Sequence, residues 1–223
     1  MNSSTQNFTS EETWRGGFYE IEFELGVPSE ERLALALQTV WSHPSLEGCY
    51  LSREQEPHAQ VRVNSRQCAI EGHLYGIANL PNSARAACGT SVCRLQDENG
   101  ALLRDFLAFY LPHGALGRTY PLGGYPFADA DQAATWRVPL DEWLVELGRY
   151  LYERVPFRLA LLGFEVDFPN VSADFVQRNG IPAERFDGYR WQARDQLEWH
   201  PPTNWNLVRF PGEDTPTGQS STP

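Results

Sequence analysis

The sequence predicts a single α+β domain, a mostly antiparallel sheet of the meander type with two main helices packed on one face. Three observations lead to this fold class. Residues 19–25 alternate between apolar and acidic side chains, several short apolar segments separated by turn residues follow, and two segments carry apolar residues at helical spacing. A run of strands with few intervening helices is typical of α+β domains rather than of parallel βαβ folds.

The first strand and the first helix are clearly marked. Residues 19–25 (YEIEFEL) have the two-residue period of a strand with one buried and one solvated face. Ser29 is a favourable N-cap, because the two glutamates that follow it would stand in the first turn of a helix, where acidic groups are stabilised. Pro44 ends that helix, since the residue before a proline avoids the helical region.

The middle of the chain has the pattern of an antiparallel meander. Strands are predicted near residues 49–53 and 60–64 and at 73–80, 84–95 and 102–111. The glycine-rich and proline-rich segment 112–130 follows, and an irregular connection of that length is usually functional or mobile. A second helix is predicted from Pro139 to Val155, because proline suits a first helical turn and one apolar stripe follows it.

The rest of the chain predicts a buried strand, a short helix and a terminal hairpin, at residues 157–168, 172–179 and 188–200. No internal repeat or linker divides the sequence. We expect residues 1–14 to form a disordered N-terminal arm, residues 15–210 the single domain, and residues 211–223 a disordered tail.

The composition excludes several mechanisms. All 18 basic residues are arginines, set against 29 acidic residues, and the formal net charge is −11. Without a lysine amine the chain has no Schiff-base residue and no phosphate-binding lysine of a P-loop. The acidic surplus argues against nucleic acid as a ligand and favours a basic protein partner. Codon bias toward arginine in a GC-rich bacterial genome is the simpler explanation for the missing lysines, and selection against modification of amines is the alternative.

The sequence predicts a cytoplasmic protein that does not interact with membranes. No apolar run approaches the roughly 18–20 residues of a membrane-spanning helix. The first residues, MNSSTQNFTSEE, contain neither a basic segment nor an apolar one, so they do not have the pattern of a secretory signal.

The four cysteines, Cys49, Cys68, Cys88 and Cys93, leave free, paired and metal-bound states open. A zinc cluster with His73 can be drawn, but none of the spacings has the two-residue gap typical of zinc knuckles, so we predict no metal and no cofactor. Cys88 and Cys93 should face opposite sides of one strand. A thiolate couple between Cys88 and His73 across paired strands is geometrically conceivable. Neither G-x-S-x-G nor H-E-x-x-H occurs, and we predict no catalytic residues.

The glutamates of the first strand are the first candidate binding feature. Glu20, Glu22 and Glu24 fall on one strand face at intervals of about 6.5–7 Å. Like charges in a row repel one another. The row is either a solvated face, partly neutralised by arginines such as Arg62, or a stripe that docks on a cationic partner.

The 112–130 segment is the second candidate. His113, Arg118, Tyr120 and Tyr125 stand among glycines, a mixture of anchors and adaptable backbone that is typical of recognition loops. The alternative is that the tyrosines attach the loop to the core.

These features favour a non-enzymatic, acidic cytoplasmic protein that binds and neutralises a basic protein partner, as an immunity protein or inhibitor does for a toxin. One alternative is a small hydrolase-like enzyme with a site between the sheet and the 112–130 loop, using His113 or His73 as acid or base and Arg118 as an anion clamp. Another is a regulatory subunit of a larger assembly. The sequence does not predict the oligomeric state.

Overall fold

The structure is a computed structural model that describes residues 8–64, 72–122, 130–166, 172–174 and 178. Its main elements, in chain order, are β1 Phe18–Gly26, α1 Glu30–Trp41, β2 Leu46–Tyr50, β3 His73–Asn79, β4 Arg85–Gln96, β5 Leu102–Pro112, α2 His113–Leu116, α3 Ala130–Tyr152 and β6 Leu159–Phe164. The strands form one sheet in the order β2-β3-β4-β5-β1-β6, and all neighbours are antiparallel. The predicted α+β fold is confirmed.

The alternating sequence of β1 gives the sheet two different faces. The apolar residues of β1 lie on the inner face and belong to the same buried core as α1 and α3: Tyr19, Ile21, Phe23 and Leu25. The glutamates lie on the other side, called the outer face below. Ser29 caps α1 as predicted, because its Oγ accepts a hydrogen bond from the Arg32 backbone N–H at 3.3 Å.

Trp41 fixes the end of α1 against the sheet. Its indole Nε1 donates to Thr90 Oγ1 on β4 at 3.1 Å. Its ring lies against Gly76 on β3, where a Cβ atom would collide with the indole. Glycine at position 76 therefore allows the helix to approach the sheet closely.

The segment between α1 and β3 differs from the prediction. Strand β2 ends at Tyr50 rather than continuing to Arg53, and residues 60–64 are not in a strand. Within β2, a bulge at Gly48 and Cys49, with φ angles of 123° and 115°, shifts the register with β3 before pairing resumes at Tyr50. A non-glycine residue with such a φ is uncommon, so the apolar pattern of this segment does not predict the bulge.

Helix α3 begins at Ala130, not at the predicted Pro139, and the proline lies inside it. Proline lacks one backbone donor, which favours a helix start but does not require one. The apolar stripe of the helix extends one turn before the proline, because Trp136 and Leu140 are both buried on it.

Other elements near the ends of the chain are described in part. Strand β6 falls within the predicted range 157–168, and residues 173, 174 and 178 of the predicted 172–179 helix are helical. The predicted hairpin at 188–200 and the tail at 211–223 lie outside the described residues.

Residues 8–14 are packed into the fold, although the sequence predicts an arm over residues 1–14. Phe8 and Trp14 are buried, and their rings meet edge to face with centroids 5.3 Å apart. The Trp14 Nε1 donates to the Phe8 carbonyl at 2.7 Å. The Trp14 ring also packs edge to face against Tyr75 on β3, with ring centroids 5.1 Å apart. The two aromatic residues anchor the segment, while residues 1–7 lie outside the described part.

A polar trio lies inside the core between β1 and α3. The Tyr19 hydroxyl donates to Asp141 Oδ1 and accepts from Arg137 Nε at 3.1 Å. The guanidinium carbon of Arg137 also lies 5.5 Å from the Tyr19 ring centroid, within the range of a cation–π interaction. Arg137 and Asp141 are four positions apart on α3, so one tyrosine on the sheet bonds to two charges on one side of the helix.

We expect Tyr19→Phe to lower the free energy of unfolding by about 1–3 kcal/mol, because it removes the hydroxyl that bonds to two buried charged groups. Urea denaturation measures the change. Tyr150→Phe is the control, since the Tyr150 hydroxyl bonds to Ser42 Oγ at an exposed position and its loss should cost less than about 0.5 kcal/mol. Equal losses in the two variants would contradict a stabilising role of the trio.

Candidate functional site

The strand register brings the outer-face side chains of four strands into rows. One row runs from Tyr75 on β3 through Gly89 and Tyr110 to Glu20 on β1. The next row contains His73, Ser91, Ala108 and Glu22 in the same strand order. Neighbouring strands are about 4.8 Å apart, and three such intervals separate β3 from β1. The backbone positions of His73 and of the two glutamates are therefore about 14 Å apart across the face.

Glu24 is neutralised within the protein. Its side chain is 0% exposed, and its Oε1 accepts from Arg104 at 3.0 Å and from Arg158 at 3.1 Å. Its Oε2 accepts from the Ala173 backbone N–H at 2.6 Å, and Asp174 bonds to both arginines. The bound carboxylate does not suit a docking role, and its counter-charges are Arg104 and Arg158 rather than an arginine such as Arg62.

Glu20 is in a different situation from Glu24. It is partly buried, and the described residues include no arginine that forms an ion pair with it. Burial raises its pKa well above the ordinary value, and the nearby carboxylates of Glu22 and Glu165 raise it further, against a hydrogen bond from the Val166 backbone. We call Glu20, Glu22 and Glu165 the carboxylate cluster. It concentrates negative charge at a partly desolvated position.

Glu165 is a member of this cluster that the sequence analysis does not find. It follows β6 and has a φ of 46°, in the left-handed region that favours glycine. Its backbone N–H donates to the Phe18 carbonyl at 2.9 Å, which holds the turn beside the start of β1. Its side chain lies against Gly17, where a Cβ atom would collide with the carboxylate. No repeating pattern in the sequence marks such a position.

Residues of the predicted recognition loop have different environments. His113 begins α2 and is partly buried, with its ring 5.9 Å from that of Phe164, and this burial lowers its pKa. Arg118 is exposed, and its Nη2 donates to Ser10 Oγ at 3.4 Å. Tyr120 is buried against Trp136, with ring centroids 6.1 Å apart, as in the alternative that attaches the loop to the core.

Tyr125 lies outside the described residues. Of the predicted binding residues, Glu20 and Glu22 are brought together on the outer face. The His113 side chain lies against Gly16, and the Glu165 carboxylate lies against the next residue, Gly17.

The described cysteines form no disulfide bond with one another, and Cys68 lies outside the described residues. Cys88 is buried and Cys93 is exposed, as expected for opposite faces of β4. Cys88 pairs with Gly76 in the sheet register whereas His73 pairs with Ser91, so the conceivable thiolate couple does not form. Burial raises the pKa of the Cys88 thiol well above its usual value, which makes it a poor nucleophile.

Two further observations concern the described part of the chain. Within the ranges given above, no three His, Cys, Asp or Glu side chains are placed so that they could hold a metal ion. None of the helices there combines the length and the apolar composition needed to cross a membrane.

Comparison with protein-family models, curated proteins and solved structures finds no match to this chain.

We expect Glu20→Gln and Glu24→Gln to have opposite effects on stability at pH 7. The glutamine at position 20 removes a buried charge that Glu22 and Glu165 repel, and it can still accept a hydrogen bond. It should therefore raise the free energy of unfolding by on the order of 1 kcal/mol. At position 24 it leaves two arginines without their buried carboxylate and should destabilise by about 3 kcal/mol. Denaturant unfolding at pH 7 measures both.

The gain from Glu20→Gln should depend on pH. The folded-state pKa of Glu20 is raised above its ordinary value of 4.5, so protonation of Glu20 contributes stability that is fully present below about pH 4.5 and is lost as the pH rises through the folded value. The two proteins should therefore converge in stability as the pH falls toward 4.5. A constant difference from pH 7 to pH 4.5 would contradict a raised pKa of Glu20 in the folded protein.

Proposed function

We propose that this chain is a non-enzymatic acidic binding protein that docks on a basic protein partner and neutralises it, in the manner of an immunity protein or inhibitor. The observation that carries the proposal is the carboxylate cluster on the outer face. Burial raises the pKa of Glu20, the Glu22 and Glu165 carboxylates raise it further, and a cationic side chain of a partner that contacts Glu20 would offset this charge repulsion.

The contrast between the two ends of β1 supports this proposal. At Glu24 the protein supplies its own counter-ions, Arg104 and Arg158. At Glu20 the neighbouring groups are carboxylates, so an arginine or lysine from outside could take the place that Arg104 and Arg158 fill at Glu24. The net charge of −11 would attract such a partner from a distance and accelerate the encounter.

The enzyme alternative has less support. It assigns roles to His73, His113 and Arg118, whose side chains contact Tyr110, Phe164 and Ser10, respectively. These contacts give each side chain a separate partner rather than a common reacting centre, which favours binding over acid–base chemistry.

Affinity purification of the full chain from its own cells, followed by calorimetry with the captured protein, tests the proposal. The partner should carry an excess of lysine and arginine, and the affinity should fall as salt rises. The double variant Glu20→Gln/Glu22→Gln should weaken binding by about tenfold or more, the order found when close charge pairs at an interface are broken.

The matched control is Glu98→Gln/Glu142→Gln, which makes the same change in net charge at two exposed positions. It should alter the affinity by less than about threefold, through long-range charge alone. Equal weakening by the two double variants would show that only the total charge matters. An acidic partner would contradict the proposed function itself.

A further inference from the structure

The outer face also contains a group of hydrogen-bond donors at its β3 side. The Tyr110 hydroxyl lies 2.9 Å from His73 Nδ1, and the His73 ring stacks on Tyr75 with an interplanar angle of 13° and centroids 6.1 Å apart. Tyr110 reaches this position because Gly89 leaves room for it, since a Cβ atom there would collide with the phenol ring. The histidine is therefore held from two sides.

The proton positions make this group a set of donors. Burial raises the pKa of Tyr110, and burial together with the Arg53 charge lowers the pKa of His73, so both are neutral at pH 7. The direction of the bond between the Tyr110 hydroxyl and Nδ1 depends on the imidazole tautomer, and in the tautomer that accepts from the hydroxyl the ring N–H of His73 is at Nε2. Burial also raises the pKa of Tyr75, whose hydroxyl stays protonated.

Arg53 completes the group. It follows β2, which runs antiparallel to β3, and so lies near the start of β3. Its loop is held by Gln60, whose side chain accepts from the Ser52 N–H at 3.2 Å and donates to the Ser52 carbonyl at 2.8 Å. Arg53 is exposed, and within the described part of the chain it forms neither an ion pair nor a hydrogen bond.

An arginine without a carboxylate is notable in this protein. The chain has 29 acidic residues for 18 arginines, and buried Glu24 and Asp105 each bind described arginines. Arg53 instead lies near two tyrosine hydroxyls and a neutral imidazole. We call Arg53, His73, Tyr75 and Tyr110 the donor cluster.

We propose that the donor cluster binds an oxyanion, the carboxylate or phosphate group of a ligand. A guanidinium presents a planar fork of N–H groups that matches two oxygens of either anion. The His73 Nε2–H and the Tyr75 hydroxyl supply further donors, and Tyr110 orients the imidazole. The site goes beyond the proposed partner binding, because it takes the opposite charge and its Arg53 and His73 lie at the β3 side of the face, although Tyr110 is the cross-strand neighbour of Glu20.

Nuclear magnetic resonance of the full chain, labelled with ¹⁵N-histidine, tests the site. The protein is titrated with inorganic phosphate in one arm and with acetate in the other, at pH 7.5 and at an ionic strength kept constant with chloride. The His73 ring signals, assigned with His73→Gln, should shift and saturate with at least one probe. Saturation by phosphate alone, acetate alone or both supports the site and identifies the anion class it takes.

Arg53→Gln should weaken the binding of that probe by about tenfold, since it removes the only full positive charge of the cluster. The matched control is Arg62→Gln, which removes another exposed arginine that forms no ion pair in the described part of the chain and should leave the affinity unchanged. Tyr110→Phe should also weaken binding, because the imidazole loses its orienting bond. Circular dichroism confirms that each variant is folded.

Two results would overturn the proposal. One is the absence of a saturable His73 shift with both probes. The other is equal weakening by Arg53→Gln and Arg62→Gln, which would show that the anion responds to the overall charge of the protein and not to a site. Neither result bears on the carboxylate cluster, so the two proposals fail separately.

Discussion

The position of β1 inside the sheet is the constraint on which the rest of the structure depends. This strand alternates apolar residues with glutamates, and it lies between β5 and β6 rather than at an edge. Its apolar side forms the centre of the core under the helices. The same alternation places three carboxylates on the opposite face, with strands on both sides. Each carboxylate therefore needs a counter-charge from a neighbouring element. Without one, the neighbouring carboxylates continue to repel it.

Arginine suits this geometry better than lysine. Arg104 and Arg158 each bond to Glu24 and to Asp174 at the same time, which requires two separated N–H groups on one rigid plane. Arg94 likewise binds Asp105, whose other oxygen accepts from the Ser29 backbone N–H at the start of α1. A lysine ammonium is a compact point charge and does not offer this planar arrangement of donors. The lysine-free composition thus agrees with the ion pairs that join the strands of the sheet to the elements around them.

The sequence predicts those elements of the fold that follow a regular pattern of side chains. The two-residue period of β1, the cap of α1 and the apolar stripe of α3 lead to the correct elements and to the correct faces. It does not predict the bulge at Cys49 or the left-handed turn at Glu165, because both depend on single backbone angles. The carboxylate cluster was half predictable: Glu20 and Glu22 follow from the strand period, whereas Glu165 and the distinction between Glu20 and Glu24 depend on which strands become neighbours.

The strand order also determines when the sheet can be completed during synthesis. Strands β2 to β5 pair with neighbours that follow them closely in the chain, so they can assemble early. Strand β1 finds its partners only when residues 102–112 and 159–164 have emerged, and pairings at such long sequence separation form slowly. During this interval its backbone is exposed beside its apolar side chains, a condition that promotes aggregation. The glutamates at every second position act against strand-to-strand association in the nascent chain, whatever they bind once it has folded.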